Sequence, residues 1–363
     1  MAEGKKVMTV LGPIAPEELG FTSMHEHIMF YGAVLGNRMR PGVPPNRLPV
    51  HAEERVSLEN VGILLNNSIM ASDALIQDDI DVMTQECLDF KRSGGRSVLE
   101  LSVPGLTLNN AALKEVSQRS GVHVVASTGF YTWDSWPKEF YDRPLQWYQK
   151  RMEQEIRDGI DGTSIKPGSI KIALNDLNQM EENALRAAAR VCGETNLPLT
   201  IHPCERVGGD RMRVLQILAE EGADLSRVVL AHSKVEHKPA SFAEAIRNPK
   251  AYFVSTDEMK RLLDKGVNLC FELQNPLGFE MMGEGHYGEY GKLAGLFELI
   301  QAGYAGQLVL GNDVCGRTML RQSGAMGYLR LTTFMIPALL EAGVAESVID
   351  QMTTLNPAKI LAA

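Results

Sequence analysis

Two histidines one residue apart, His25 and His27, stand in a run from Phe21 to Phe30 that reads as a β-strand. Side chains alternate along a strand, so these imidazoles share one face while Met24, Glu26 and Ile28 take the other. Two imidazoles side by side make half of a metal site, although any edge strand can carry such a pair. The other donors lie far along the chain. His202, His232 and Asp313 end the apolar runs 198–203, 228–233 and 307–313. One polar residue at a strand end usually just hydrogen-bonds a loop. Four histidines and an aspartate on one rim are different, because unpaired polar groups crowded at the mouth of a core are costly.

Lys171 sharpens the reading. It sits between Ile170 and Ile172 in a strand-like run and points away from both. A free ammonium inside a barrel is expensive. The lysine must be paired, neutral, or converted by carbon dioxide to a carbamate, an anionic oxygen ligand able to bridge two cations. Beside four histidines and an aspartate, the bridging carbamate is the better account. Neutral imidazole with carboxylate-type oxygen and no thiolate suits zinc, with manganese, cobalt or iron as alternatives. Two divalent ions about 3.5–4 Å apart can share a hydroxide and polarise the scissile bond. Asp313 can bind one ion and accept the hydroxide's proton as general base.

Eight strand-like runs must position these residues. They begin with the His25 run and continue at 97–102, 122–128, 169–174, 198–203, 228–233, 267–273 and 307–313. Each is followed by helical material. The first long helix is expected to start near Ser72 and end at Gly94-Gly95. Near-continuous Val/Ile/Leu strands alternating with helices indicate a parallel sheet covered on both faces. Eight such units in 363 residues most simply close into a (β/α)8 TIM barrel, with a doubly wound open sheet as the alternative. A short hairpin, 7–14, broken at Gly12-Pro13, precedes it. A Gly/Pro-rich loop without regular structure is expected over 32–49. No linker or composition shift divides the chain, so 1–363 is expected to be a single domain. In a barrel the C-terminal strand ends form one rim, and that is where the donors fall.

A hydrophobic fraction of 44% supports a large buried core, and a net charge of -9 argues against nucleic acid or an anionic membrane as partner. No apolar run reaches the length of a membrane span. The N-terminus lacks a signal-peptide core. The five cysteines, Cys87, Cys192, Cys204, Cys270 and Cys315, are dispersed and form no disulfide or thiolate-zinc pattern. A cytoplasmic homo-oligomer, dimer or tetramer, acting on a small molecule is expected.

The order His25-x-His27, Lys171, His202, His232, Asp313 resembles the phosphotriesterase family of the amidohydrolase superfamily. The similarity runs nearly end to end, from the lead-in Thr9–Ile14 to Asn356–Lys359, with local matches at 126–131, Ile170-Lys171 and Gly311–Asp313. The resemblance implies a distorted (β/α)8 barrel and a binuclear centre. In it, His25, His27 and Asp313 hold the more buried ion, His202 and His232 hold the more exposed one, and carboxylated Lys171 and hydroxide bridge them.

Specificity is less determined. Tyr131 and Trp133 match positions where lactone-hydrolysing relatives carry aromatics, and Tyr131 can donate to a substrate carbonyl oxygen. Gln274 and His286 in the loop after the seventh strand, and Arg317 and Arg321 after the eighth, are further substrate contacts; one arginine is expected to pair with a carboxylate such as Glu284. Lactones or carboxylic esters are the favoured substrates, with phosphotriesters and N-acyl amides as alternatives. A mononuclear deaminase-type enzyme and a small-molecule binding protein on the same barrel are the competing readings.

Overall fold

The computed structural model describes residues 4–39, 50–65, 68–203, 211–233, 236–238, 247, 253–272 and 288–363. The chain enters through the expected hairpin, β1 (Val7–Thr9) antiparallel to β2 (Gly12–Ile14). The first central strand, β3 (Thr22–Glu26), follows. A small antiparallel pair, β4 (Phe30–Tyr31) and β5 (Ile76–Gln77), then brings the end of the first loop back to it. The central series continues with β6 (Ser97–Glu100), β7 (His123–Val125), β8 (Ser127–Phe130), β9 (Ser169–Ala173), β10 (Leu199–His202) and β11 (Val228–Leu230). A peripheral antiparallel pair, β12 (Glu236–Lys238) and β13 (Phe253–Ser255), precedes the last central strands, β14 (Asn268–Glu272) and β15 (Leu308–Gly311).

The central ladders are all parallel, in the orders β3-β6-β7 and β8-β9-β10-β11-β14-β15. β7 and β8 are the third predicted strand, interrupted at Ala126, so the eight predicted strands are all present. Between β15 and β3 no ladder forms. The two meet instead through one main-chain hydrogen bond, Asp313 N–H to the His25 carbonyl at 2.9 Å. They come this close because Gly311 has no side chain: a Cβ there would lie 2.8 Å from the His25 Cβ. The fold is an α/β barrel distorted at these two seams.

Alternation decides which residues fill it. Met24, Leu99, Val125, Val229, Cys270 and Val309 of the central strands pack together in one apolar cluster that also takes in Leu101 and, from the C-terminal helix Asn356–Leu361, Ile360 and Leu361. The other strand face packs against helices, as where Ile170, Ile172, Leu199 and Ile201 meet Ala184, Leu185 and Ala188 of the helix Gln179–Thr195. The core is thus layered, and the polar strand ends sit above it.

Several local expectations change. The first long helix is Ile80–Arg92, and its cap is Asp79, which accepts from the N–H groups of Asp81 and Val82. Ser72 opens a 3-10 turn, Ser72–Leu75, instead. Part of the loop expected to be irregular is helical, Ala33–Met39; residues 40–49 lie outside the described set. The hairpin of β12 and β13 lies in a stretch expected to be helical. Among the described residues no helix is long and apolar enough to cross a membrane.

Candidate metal centre

The strand ends bring the predicted donors together. His25 lies within β3 and His27 just beyond it, both buried, with ring centroids 5.4 Å apart. The rings of His25 and His232 are 4.9 Å apart, those of His232 and His202 4.4 Å, and Tyr131 continues the row 5.6 Å from His202. The Asp313 carboxylate lies among three of these imidazoles. Its Oδ1 is 3.5 Å from His25 Nε2 and 3.2 Å from His27 Nε2, and its Oδ2 is 3.6 Å from His232 Nδ1. One donor atom each from His25, His232 and Asp313 all fall within 4.8 Å of one another, close enough to share a cation.

Two donors are held at strained backbone. His232 and Asp313, each beyond the end of its strand, have φ of 52° and 55°. Such a conformation is uncommon outside glycine, costs on the order of 1–3 kcal/mol and clusters at functional sites.

Lys171 is 1% exposed, and its Nζ is a buried polar atom with no hydrogen-bond partner among the described residues. The neighbouring β8 runs close because its partner residue there is Gly129, whose Cβ would meet the Lys171 carbonyl oxygen at 1.9 Å. Burial lowers the Lys171 amine to about 8, against the opposing pull of Asp313 and Glu272. An amine with a depressed pKa and no partner is a chemically suitable acceptor of carbon dioxide. Burial likewise keeps the His25 ring below its ordinary value, opposed by Asp313, and the His232 ring well below it, reinforced by His202 and His25. Neutral rings are the ligating form. Burial works to raise the Asp313 carboxyl, but His25, His27 and Lys171 hold it below the usual carboxylate range. The neutral rings of His25 and His232, an ionised carboxylate and a buried amine are a donor set that fits divalent metal.

Residues that the sequence did not single out orient this set. Glu272, buried at the end of β14, accepts from His25 Nδ1 at 2.7 Å and, through its other oxygen, from the His232 main-chain N–H at 2.8 Å. The first bond assigns the proton to Nδ1 and leaves Nε2 toward Asp313. Ser102 Oγ is 2.9 Å from His27 Nδ1 and holds the second ring in place, a hydroxyl being able to donate or accept there. The His27 carbonyl accepts from Gln77 Nε2 at 2.6 Å and Tyr328 Oη at 2.9 Å. A lone glutamate or serine at a strand end is the only sequence trace of these roles. Cys270 also lies close to His25 and Glu272, so a thiol is near after all, but burial pushes it well above its ordinary pKa.

The proposed substrate contacts divide. Tyr131 is buried against His202, as described. Trp133 is only partly buried; its Nε1 donates to Asp176 Oδ2 at 3.0 Å and its ring packs on Tyr141. Arg317 is drawn to the first loop, 3.2 Å from Asp73 and 2.8 Å from Asp78, and Arg321 to Asp89. One of the two arginines was expected to pair with a carboxylate; both do, because the first loop and the helix Ile80–Arg92 present aspartates beside the eighth loop. Gln274, His286 and Glu284 lie outside the described residues.

The phosphotriesterase family model matches residues 5–361. A curated relative, the N-acetyltaurine hydrolase of Xenopus tropicalis, is 26% identical over 367 residues, covering 97% of this chain and 96% of the relative. A crystal structure of a resiniferatoxin-binding protein from Rhodobacter sphaeroides aligns with a TM-score of 0.83 and 26% identity, covering 98% of this chain and 94% of that one. The phosphotriesterase homology protein from Escherichia coli aligns with a TM-score of 0.73 and 24% identity, over 95% of this chain and 99% of that one. The chain belongs to the phosphotriesterase family of hydrolases.

Proposed function

We propose that the chain is a single-domain, metal-dependent hydrolase of small-molecule N-acyl amides, using two divalent ions, zinc first among them. His25, His27 and Asp313 would hold one ion, His202 and His232 the other, and Lys171, as its carbamate, would bridge them. The observation that carries this reading is the Asp313 carboxylate set among three imidazoles in a cluster that also contains a buried lysine without a partner among the described residues. When bound, such ions supply an activated water and polarise the scissile carbonyl.

The chain's own groups supply the rest. The ionised Asp313 takes a proton from the attacking water on a carboxylate oxygen and returns it to the leaving amine nitrogen, as a general base and then acid. Tyr131, stacked edge-on to His202, offers its phenol to the substrate carbonyl oxygen. Glu272 sets the tautomer of His25 and Ser102 holds the His27 ring in place, so these rings do not reorient during turnover.

N-acyl amides lead because curated relatives matched along their length hydrolyse N-acetyltaurine by name. A lactone or carboxylic ester is the second reading, supported by Tyr131. The parallel support from Trp133 weakens, since its indole N–H is committed to Asp176. Purified chain reconstituted with zinc, then assayed against N-acyl amides, lactones and phosphotriesters, decides the order. Amide cleavage with the greatest kcat/KM supports the first reading; a lactone turned over more efficiently replaces it. Binding of these compounds without turnover of any would make the chain a binding protein.

A further inference from the structure

The donors of the candidate centre hang from both sides of an open seam. His25 and His27 belong to the β3 side and Asp313 to the β15 side, and no ladder joins these two strands. Yet Asp313 Oδ1 is 3.2 Å from His27 Nε2, so an ion shared by these two groups depends on the register across the seam.

Tyr328 spans it. The residue lies in the turn Gly327–Leu329, well past β15, and is completely buried. Its hydroxyl donates to the His27 main-chain carbonyl at 2.9 Å, and its own carbonyl accepts from Asn312 Nδ2 at 3.3 Å. Asn312 is the residue before Asp313, and its Oδ1 accepts the Leu331 N–H at 2.8 Å. One aromatic residue therefore touches the backbone of one donor and the immediate neighbour of the other. Gln77 also donates to the His27 carbonyl, but it sits on β5, which pairs with β4 directly after His27. That bond ties His27 to its own loop, whereas the Tyr328 bond ties it to the segment after β15. Glu26 of β3 crosses the seam in the other direction, to the N–H groups on either side of Asp313.

We propose that Tyr328 is a positioning residue, whose hydroxyl keeps His27 at the separation from Asp313 that one shared divalent ion requires. The inference rests on the metal-centre reading above. Tyr328→Phe isolates this role. The ring keeps its edge-on packing against Phe90, and the His27 carbonyl keeps Gln77, so no buried acceptor is left unpaired.

The test uses the full-length chain with isotope-labelled histidine, its Tyr328→Phe variant and a packing control, Phe90→Leu. Thermal melts verify that both variants fold, and loss of a signal in His27→Asn assigns the His27 ring. In the metal-free chain the His27 ring gives a single line. That line splits or broadens in Tyr328→Phe, as a ring with more than one position does, and stays single in Phe90→Leu. Zinc, titrated in competition with a chromophoric chelator, binds about 10- to 100-fold more weakly at one site in Tyr328→Phe and as in wild type in Phe90→Leu. A single His27 line or wild-type zinc affinity in Tyr328→Phe overturns the proposal. Equal changes in Phe90→Leu overturn it too, since loosened packing would then be the cause. A wild-type chain that takes up no zinc, with a His27 line that still depends on the Tyr328 hydroxyl, refutes the metal reading and keeps the positioning of His27.

Discussion

Glu26 holds Asp313 from both sides. Its Oε1 accepts the main-chain N–H of Asn312 at 3.2 Å and its Oε2 that of Val314 at 3.2 Å, so one carboxylate straddles the residue between them. Asn312 Nδ2, at 2.7 Å, and the Ser23 hydroxyl add further donors. Asp313 itself sits at φ 55°. A backbone in that region persists only when its surroundings over-determine it, and Glu26 supplies that constraint from the face of β3 opposite His25. Burial raises the Glu26 carboxyl to about 8, and Glu26→Ala removes both of its oxygens whatever their protonation, leaving these N–H groups without their acceptor. The variant is expected to lose on the order of 1–3 kcal/mol of stability in urea melts. Turnover falls by about 100-fold at full metal occupancy, because a small displacement of Asp313 suffices. Unchanged turnover would show that Asp313 keeps its place without the clamp.

Asp313→Asn separates ligation from proton transfer. The amide oxygen can still coordinate, but the group no longer accepts a proton at neutral pH. Turnover falls by about 100- to 10,000-fold while metal content, read by elemental analysis, stays close to wild type. Near-normal activity would remove Asp313 from the proton path.

Lys171→Ala removes the proposed bridge. The variant loses metal and activity together, and short carboxylates such as formate or acetate restore part of both by occupying the vacated bridging position. Full metal occupancy and activity without any added carboxylate would contradict a carbamate at Lys171.

Glu86 gives a pH signature remote from the centre. Burial raises its carboxyl to about 7, against the main-chain N–H groups of Arg321 and Tyr328 that it accepts. Between about pH 4.5 and 7 the folded chain keeps a proton that the unfolded chain releases. Its contribution to stability therefore declines as pH rises through that window, and the loss is complete above it. Glu86→Gln is exempt. Its stability relative to wild type should improve by on the order of 1–3 kcal/mol from about pH 5 to pH 8, measured by denaturant melts at both values. A difference that does not vary with pH would contradict the raised carboxyl.

The grouping of the candidate donors was legible in the sequence because barrel topology converts a position on a chain into a position on a rim. His202 closes β10 and His232 and Asp313 follow the ends of β11 and β15, so a count of strands was enough to group them. Lys171 was legible because a lysine flanked by Ile170 and Ile172 must face the barrel interior. What orients the donors was not legible. Glu272 and Ser102 act across strands 247 and 75 residues from the rings they hold, and no local pattern marks such a bond. The helix start shifted from Ser72 to Asp79 for a related reason. The apolar stripe continues through Leu75 and Ile76, but Ile76 and Gln77 are drawn into pairing with Phe30 and Tyr31. The aspartate partners of the arginines of the eighth loop were not legible because they come from a loop and a helix more than 200 residues earlier.

The most direct test of the account is the metal content of the purified chain by elemental analysis, taken with its intact mass under native conditions. The account predicts close to two divalent transition-metal ions per chain and a mass increment of one carbon dioxide that disappears in Lys171→Ala. One ion and no increment would contradict the bridged centre in favour of a mononuclear enzyme. No ion after reconstitution would contradict metal-dependent hydrolysis altogether.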